Sequence, residues 1–252
     1  MKGITLTCRI SCALAAAIDA LFICMSSVQI YAGTPPALLS EEQIVDRMQM
    51  HDRVQAETLD GYQAQRHYAI EYRGLFKTLD AKMDVEVNYD ATSGKSFQIL
   101  SESGSHTLCE KVLRRAVDSE KEASRNRSAT ALTRTNYKFH LAGNETVNGR
   151  PVYILDVEPI TPSKFLYRGR IWVDGIDFAV ARMEVQPGKN PSFWISRTVI
   201  HHTNTDMGGF WLPQQNRSET KVRIGGTAVL TIDYGTYRIV PRQSQHVVSE
   251  PR

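Results

Sequence analysis

Cysteine is scarce in this chain. Of its four cysteines, Cys8, Cys12 and Cys24 fall near the N-terminus, which leaves Cys109 alone in the remainder and excludes a disulfide framework there. No Gly-x-Ser-x-Gly elbow and no recognisable catalytic-cysteine signature is present, so nucleophilic acyl transfer has no starting point. Gly225-Gly226 lacks the Lys-Ser/Thr ending and following helix of a phosphate cradle and reads as a turn. Neither charge dominates: 30 basic against 27 acidic residues give a formal +3, too little for a nucleic-acid field. Fixed-period repeats and low-complexity segments are also lacking.

The first 32 residues have the three-part layout of a secretory signal peptide. Lys2 and Arg9 precede the apolar run 10–23, and small and polar residues follow up to Ala32, the expected cut site. A retained membrane anchor is the alternative, although Asp19 sits inside the run that such a helix would need apolar. The residues before Cys12 and Cys24 do not fit a lipoprotein signal, so the expected product is exported, soluble and unlipidated. Losing Lys2, Arg9 and Asp19 lowers the formal charge to +2. About 220 residues remain, enough for a single all-β domain with a sizeable core. That domain is expected over 33–240, with a loose tail over 241–252.

Ser40, followed by Glu41, Glu42 and Gln43, predicts a capped helix with Leu38, Leu39, Ile44, Met48 and Val54 as its apolar stripe. From Gly61 the period changes to two. Tyr68, Ile70 and Tyr72 share one face, as do Met83, Val85, Val87 and Tyr89, whose intervening residues are Asp84, Glu86 and Asn88. Residues 91–94 form a turn into a strand carrying Phe97 and Ile99. Helical spacing returns between Gly104 and Arg127 with Leu108, Val112, Leu113 and Val117. Strands resume around Phe139, around Leu155, and through a hairpin spanning 169–185. Further strands follow at about 193–204, 214–223 and 227–239, the last with Leu230, Ile232 and Tyr234 on one side. The expectation is a mainly β (α+β) fold of about ten strands and two helices, a curled antiparallel sheet or unclosed barrel covered on its concave face by helices.

Candidate chemistry is thin. His201 and His202 are adjacent in a strand and point to opposite faces, so they cannot share a metal ion without a bulge. Asp174 and Asp177 bracket Gly175-Ile176 as hairpin residues. Cys109, among Leu108, Val112 and Leu113, fits a small buried apolar role. His51, His67, His106, His140 and His246 are dispersed. No metal, cofactor or catalytic residue is expected, and the chain reads as a container or platform and not as an enzyme. The aromatic set Trp172, Trp194, Trp211, Tyr68, Tyr72, Tyr89, Tyr137, Tyr153 and Tyr234 has two open readings: packing between sheet and helices, or the wall of a cavity for an amphipathic ligand.

An exported chain with an N-terminal helix, a long antiparallel sheet interrupted by one covering helix, and the strand pair Gly169–Val185 resembles the outer-membrane lipoprotein-sorting proteins of Gram-negative bacteria, the LolA/LolB-like superfamily. Gly209-Phe210-Trp211-Leu212-Pro213 is a further feature of that likeness. The resemblance implies a periplasmic carrier that holds acyl chains of a lipid or lipoprotein between an apolar sheet face and a helical lid, here residues 104–127. Transient membrane contact and envelope-protein partners go with it. The expected wall is Tyr68, Ile70, Tyr72, Val85, Val87, Phe139, Leu155, Val173 and Ile232. A branch of the same fold senses envelope stress by contacting a membrane-bound regulator, which leaves an interaction module with a self-filled core as the alternative.

Overall fold

Ser40 opens the first helix by a reciprocal cap. Its hydroxyl accepts from the Gln43 amide at 3.3 Å, and its own N–H donates to the Gln43 side chain at 3.0 Å, which satisfies two donors that a helix start leaves open. In the computed structural model, which describes residues 39–242 apart from 191, 194 and 224, this helix, α1, spans Glu41–Thr58. The leader, Leu38, Trp194, His246 and the tail from 243 lie outside the described residues. The buried stripe of α1 is Ile44, Val45 and Met48. Val54, expected on it, is exposed, because the last turns of α1 border a cleft instead of the core.

Ten strands follow: β1 (Leu59–Arg73), β2 (Thr78–Asp90), β3 (Gly94–Gly104), β4 (Tyr137–Val147), β5 (Arg150–Pro159), β6 (Tyr167–Asp174), β7 (Val180–Pro187), β8 (Ile195–Asp206), β9 (Trp211–Val222) and β10 (Thr227–Pro241). They form one antiparallel sheet in the order β3-β2-β1-β10-β9-β8-β7-β6-β5-β4, open at β3 and β4. Every connection but β3–β4, which links the two edges of the sheet, joins neighbouring strands, and the one ladder between non-consecutive strands, β1 with β10, brings the two ends of the domain together. Pro241 closes β10 opposite Leu59, and Arg242 donates its N–H to the Thr58 carbonyl at 2.7 Å.

Helix α2 lies between β3 and β4 and covers residues 106–125. It consists of a turn at His106–Leu108, a wider π-helical turn at Cys109–Leu113 with Arg114 N–H donating to the Cys109 carbonyl, and Arg114–Arg125. The short helix α3 (Arg127–Thr130) follows. Leu108, Cys109, Leu113 and Val117 bury one stripe of α2 against β1–β3.

The predicted alternation holds residue by residue in β2, where Met83, Val85 and Val87 are wholly buried and Asn88 is exposed. Two apolar clusters result. One, beneath α2, gathers Tyr62, Tyr68, Ile70, Met83, Val85, Val87 and Ile232; the other, beneath the first half of α1, gathers Ile44, Met48, Leu155, Ile171 and Val173. Each fully buried aliphatic side chain stabilises the fold by roughly 1.5–3 kcal/mol relative to exposure.

Two glycines shape the sheet. Gly169, in the β6–β7 hairpin, has φ +141°, and a Cβ there would stand 2.5 Å from the Glu184 carbonyl. In β10, Gly235 and Thr236 together oppose Gln65, a bulge that lets Tyr234 and Tyr237, three residues apart, both turn to the helix-covered face.

Candidate functional site

The hairpin turn between β6 and β7 is built around Asp174. Its Oδ1 accepts from the Ile176 and Asp177 amides at 2.9 and 2.8 Å, and its carboxylate takes a two-pronged contact from Arg150 at 2.6 and 2.8 Å. Burial opposes its charge, but Arg150 and the two amides hold the carboxyl below the usual Asp range. Asp177 accepts from Arg150 and from the Trp211 indole N–H at 3.2 Å, which ties the turn to β9. This is a structural lock.

A cleft of about 480 Å³ lies between the C-terminal half of α1, the β1–β2–β3 end of the sheet, and the chain around α3. That size lies within the range of small-molecule sites. Its floor is apolar and aromatic: Leu59, Leu212, Tyr62 and Tyr89, with the Tyr62 ring 5.2 Å from that of Tyr89 and 5.3 Å from that of Tyr237. Gln55 fixes the helix side of the cleft, since its amide gives to the Trp211 carbonyl at 3.1 Å and takes from the Trp211 N–H at 2.8 Å. Arg127 closes another side by stacking 4.8 Å over the Tyr89 ring while donating to the Tyr89 hydroxyl at 3.1 Å. Asp52 reaches the solvent of the cleft yet is walled by protein, and that desolvation raises its carboxyl above the usual range against the pull of His51.

From the cleft a chain of charges leads into the core. Lys95 donates to Glu120 at 2.9 Å, and Glu120 accepts from Arg66 at 2.5 Å. Arg66 is 1 % exposed. Burial works against the Glu120 charge, but Lys95 and Arg66 prevail and bring its pKa down to about 2. The Arg66 guanidinium lies 4.6 Å from the Tyr234 ring and 5.6 Å from that of Phe97. Its Nε and Nη2, like the Tyr68 hydroxyl, are buried without a well-formed hydrogen bond.

Beyond Tyr234 the same face turns polar on β8 and β9. His202 packs edge-on to Tyr234, and its ring nitrogens meet the Asn204 carboxamide oxygen at 3.0 Å and the Asn216 amide at 3.3 Å. Those partners fit the neutral ring with the proton on Nε2, and burial lowers its pKa. His201 faces the other way, 3.8 Å from Glu184.

The residues expected to form the wall divide between the two clusters. Tyr68, Ile70, Val85, Val87 and Ile232 are buried and Tyr72 half-buried in the cluster beneath α2; Leu155 and Val173 are buried and Phe139 half-buried in the cluster beneath α1. None of the nine borders the cleft, which is lined by neighbours such as Tyr62, Tyr89 and Leu212. Tyr62 and Tyr89 were in phase with the expected wall on β1 and β2, and the period-two pattern carries them. Arg66 and Glu120 also had a signal: Arg66 stands in phase with Ala64 and Tyr68 on a strand, and Glu120 follows Leu113 and Val117 at helical spacing. Charged residues in an apolar phase mark a buried pair.

No protein-family model matches this sequence, and no curated protein matches it. Among solved structures the chain is similar to a DUF1329-family protein from Desulfovibrio piger, at 14 % identity and TM-score 0.40, over 79 % of this chain and 92 % of that one. It is also similar to a putative outer membrane lipoprotein-sorting protein domain from Vibrio parahaemolyticus, at 12 % identity and TM-score 0.39, over 82 % and 94 % of the two chains. A LolA superfamily protein from Nitrosomonas europaea shares 12 % identity at TM-score 0.33, over 84 % of this chain and 99 % of that one. Likeness at this level assigns no activity to the chain.

Proposed function

We propose that this protein is a non-enzymatic carrier that holds an acyl chain of a lipid or lipoprotein, exported to the periplasm by its N-terminal leader. The observation that carries this reading is the cleft between α1 and the sheet, floored by the apolar and aromatic side chains of Leu59, Tyr62, Tyr89 and Leu212. Each methylene moved there from water gains about 0.8 kcal/mol, so a tail of ordinary length is held without any covalent step.

The nine wall residues belong to this reading as the surface a longer chain reaches once the helices lift, Tyr68, Ile70, Tyr72, Val85, Val87 and Ile232 beneath α2 and Phe139, Leu155 and Val173 beneath α1. Helix α2 suits a lid: a wide π-helical turn interrupts it, and polar ties hold it to the sheet through Arg66–Glu120, Lys95–Glu120 and Arg114–Glu102. Native mass spectrometry of protein purified without detergent, followed by addition of a fluorescent fatty acid, tests the proposal. Co-purifying lipid, or saturable 1:1 binding, supports it; a clean apo mass together with refusal of the fatty acid sinks it.

One observation favours a second reading, a module that binds an envelope protein. The two clusters are filled by the protein's own side chains, while the free edge β3 shows Ile99 and Leu100 and the β1–β2 tip shows Leu75 and Phe76. An open edge invites strand addition. Capture of a defined envelope protein by a chain that binds no lipid would decide for it.

A further inference from the structure

The charges around the cleft are unbalanced. Three cationic side chains, Arg53, Lys95 and Arg127, line it against one carboxylate, Asp52. Lys95 and the buried Arg66 share the single Glu120 carboxylate, so the inner end of the cleft also carries excess positive charge. Lys95 stands directly across the β2–β3 ladder from Tyr89, and Arg127 stacks on the ring of that same tyrosine. The two cations therefore flank one aromatic floor residue. Arg127 spends one N–H on the Tyr89 hydroxyl, and a guanidinium has five to give. Gln49, also on the wall, has a buried side-chain amide nitrogen with no acceptor.

Donors and positive charge at one end, with an apolar floor beside them, define a ligand. A neutral amphiphile would cover the cations without answering their charge, which is costly as solvent is displaced; an anionic group would answer it with charge-assisted hydrogen bonds. We infer that the cleft takes a single-tailed amphiphile with an anionic headgroup, a carboxylate or phosphate monoester, seated at Lys95 and Arg127 with its tail across Tyr62, Leu59 and Leu212. This rests on the reading of the cleft as an acyl-chain site. Asp52 opposes the headgroup, and the desolvation that raises its carboxyl reduces that opposition.

The test is calorimetric titration of the full chain at low ionic strength with dodecanoate, dodecyl phosphate and 1-dodecanol, each below its micelle concentration, and with acetate and inorganic phosphate. At least one of the tailed anions binds about tenfold or more tightly than dodecanol, equivalent to about 1.4 kcal/mol, and the tailless anions do not compete. Comparison of dodecanoate with dodecyl phosphate identifies the headgroup. Arg127→Gln narrows the anion preference several-fold and Asp52→Asn widens it; both residues are exposed, so neither change disturbs the core. Dodecanol binding as tightly as both tailed anions would remove the headgroup inference and leave the carrier standing. Competition by inorganic phosphate alone would convert the site to a small-anion site and overturn the amphiphile. Failure of all three tailed ligands overturns both readings.

Discussion

Arg66, on the apolar face of β1, and Glu120, on the buried stripe of α2, meet at 2.5 Å and join the helix to the sheet. Neither residue is well solvated. Removing one charge leaves the other without its partner, a loss that typically costs about 3–5 kcal/mol, whereas an apolar pair of similar volume can be neutral or better. Glu120→Ala is expected to destabilise the fold by that amount in urea denaturation, and Arg66→Met with Glu120→Leu to recover most of it. Equal stability of Glu120→Ala and wild type would show that α2 is held by its apolar stripe alone.

The same pair predicts an acid limb. The folded Glu120 pKa of about 2 lies below its unfolded value, so the unfolded chain binds the proton more readily. Its contribution to stability is therefore complete above about pH 4.3, the unfolded Glu value, and is lost as pH falls through about 2. Glu120→Gln should flatten the stability–pH slope between those values, measured by denaturant midpoints across the range.

His202 adds a second pH dependence at higher pH. Burial lowers its pKa, so below about 6.5, the unfolded value, the unfolded chain takes up a proton that the native ring resists, and stability falls with pH. NMR titration should show the His202 ring still neutral below about pH 6.5, the free imidazole value. A His202 midpoint at or above about 6.5 would contradict the burial argument.

Val85 is wholly buried and the neighbouring Glu86 faces outward on the same strand. Val85→Asp places an unpaired carboxylate in the core and is expected to unfold the domain or lower its melting temperature severely. Glu86→Gln should stay within about 0.5 kcal/mol. Thermal melts by circular dichroism compare the two, and similar stability would refute the facing of β2.

Ala56 is exposed on the α1 wall of the cleft, opposite the aromatic floor. Ala56→Trp fills that space without entering either apolar cluster. Fatty-acid affinity should fall about tenfold or more with the melting temperature unchanged, read by fluorescent-probe displacement; undiminished binding would move the acyl site away from this cleft.

What the sequence determined by itself is local. Period-two alternation placed Met83, Val85 and Val87 on one face of β2, Ser40 and Gln43 started α1, and the turn residues between strands kept the hairpins short, because each of these signals depends on residues a few positions apart. The open ten-stranded sheet was legible for the same reason, since all but one of its ladders join consecutive strands. The tertiary structure decided what each face meets. The wall expected at Tyr68, Val85 and Leu155 packs against α1 and α2, while the cleft borders Tyr62, Tyr89 and Leu212, because only the docking of the two helices determines where a gap remains beside the apolar face. Pairing of β1 with β10, the bulge at Gly235 that turns both Tyr234 and Tyr237 inward, and the meeting of Arg66 with Glu120 across 54 positions likewise arise from packing between distant segments, on which a local period carries no information.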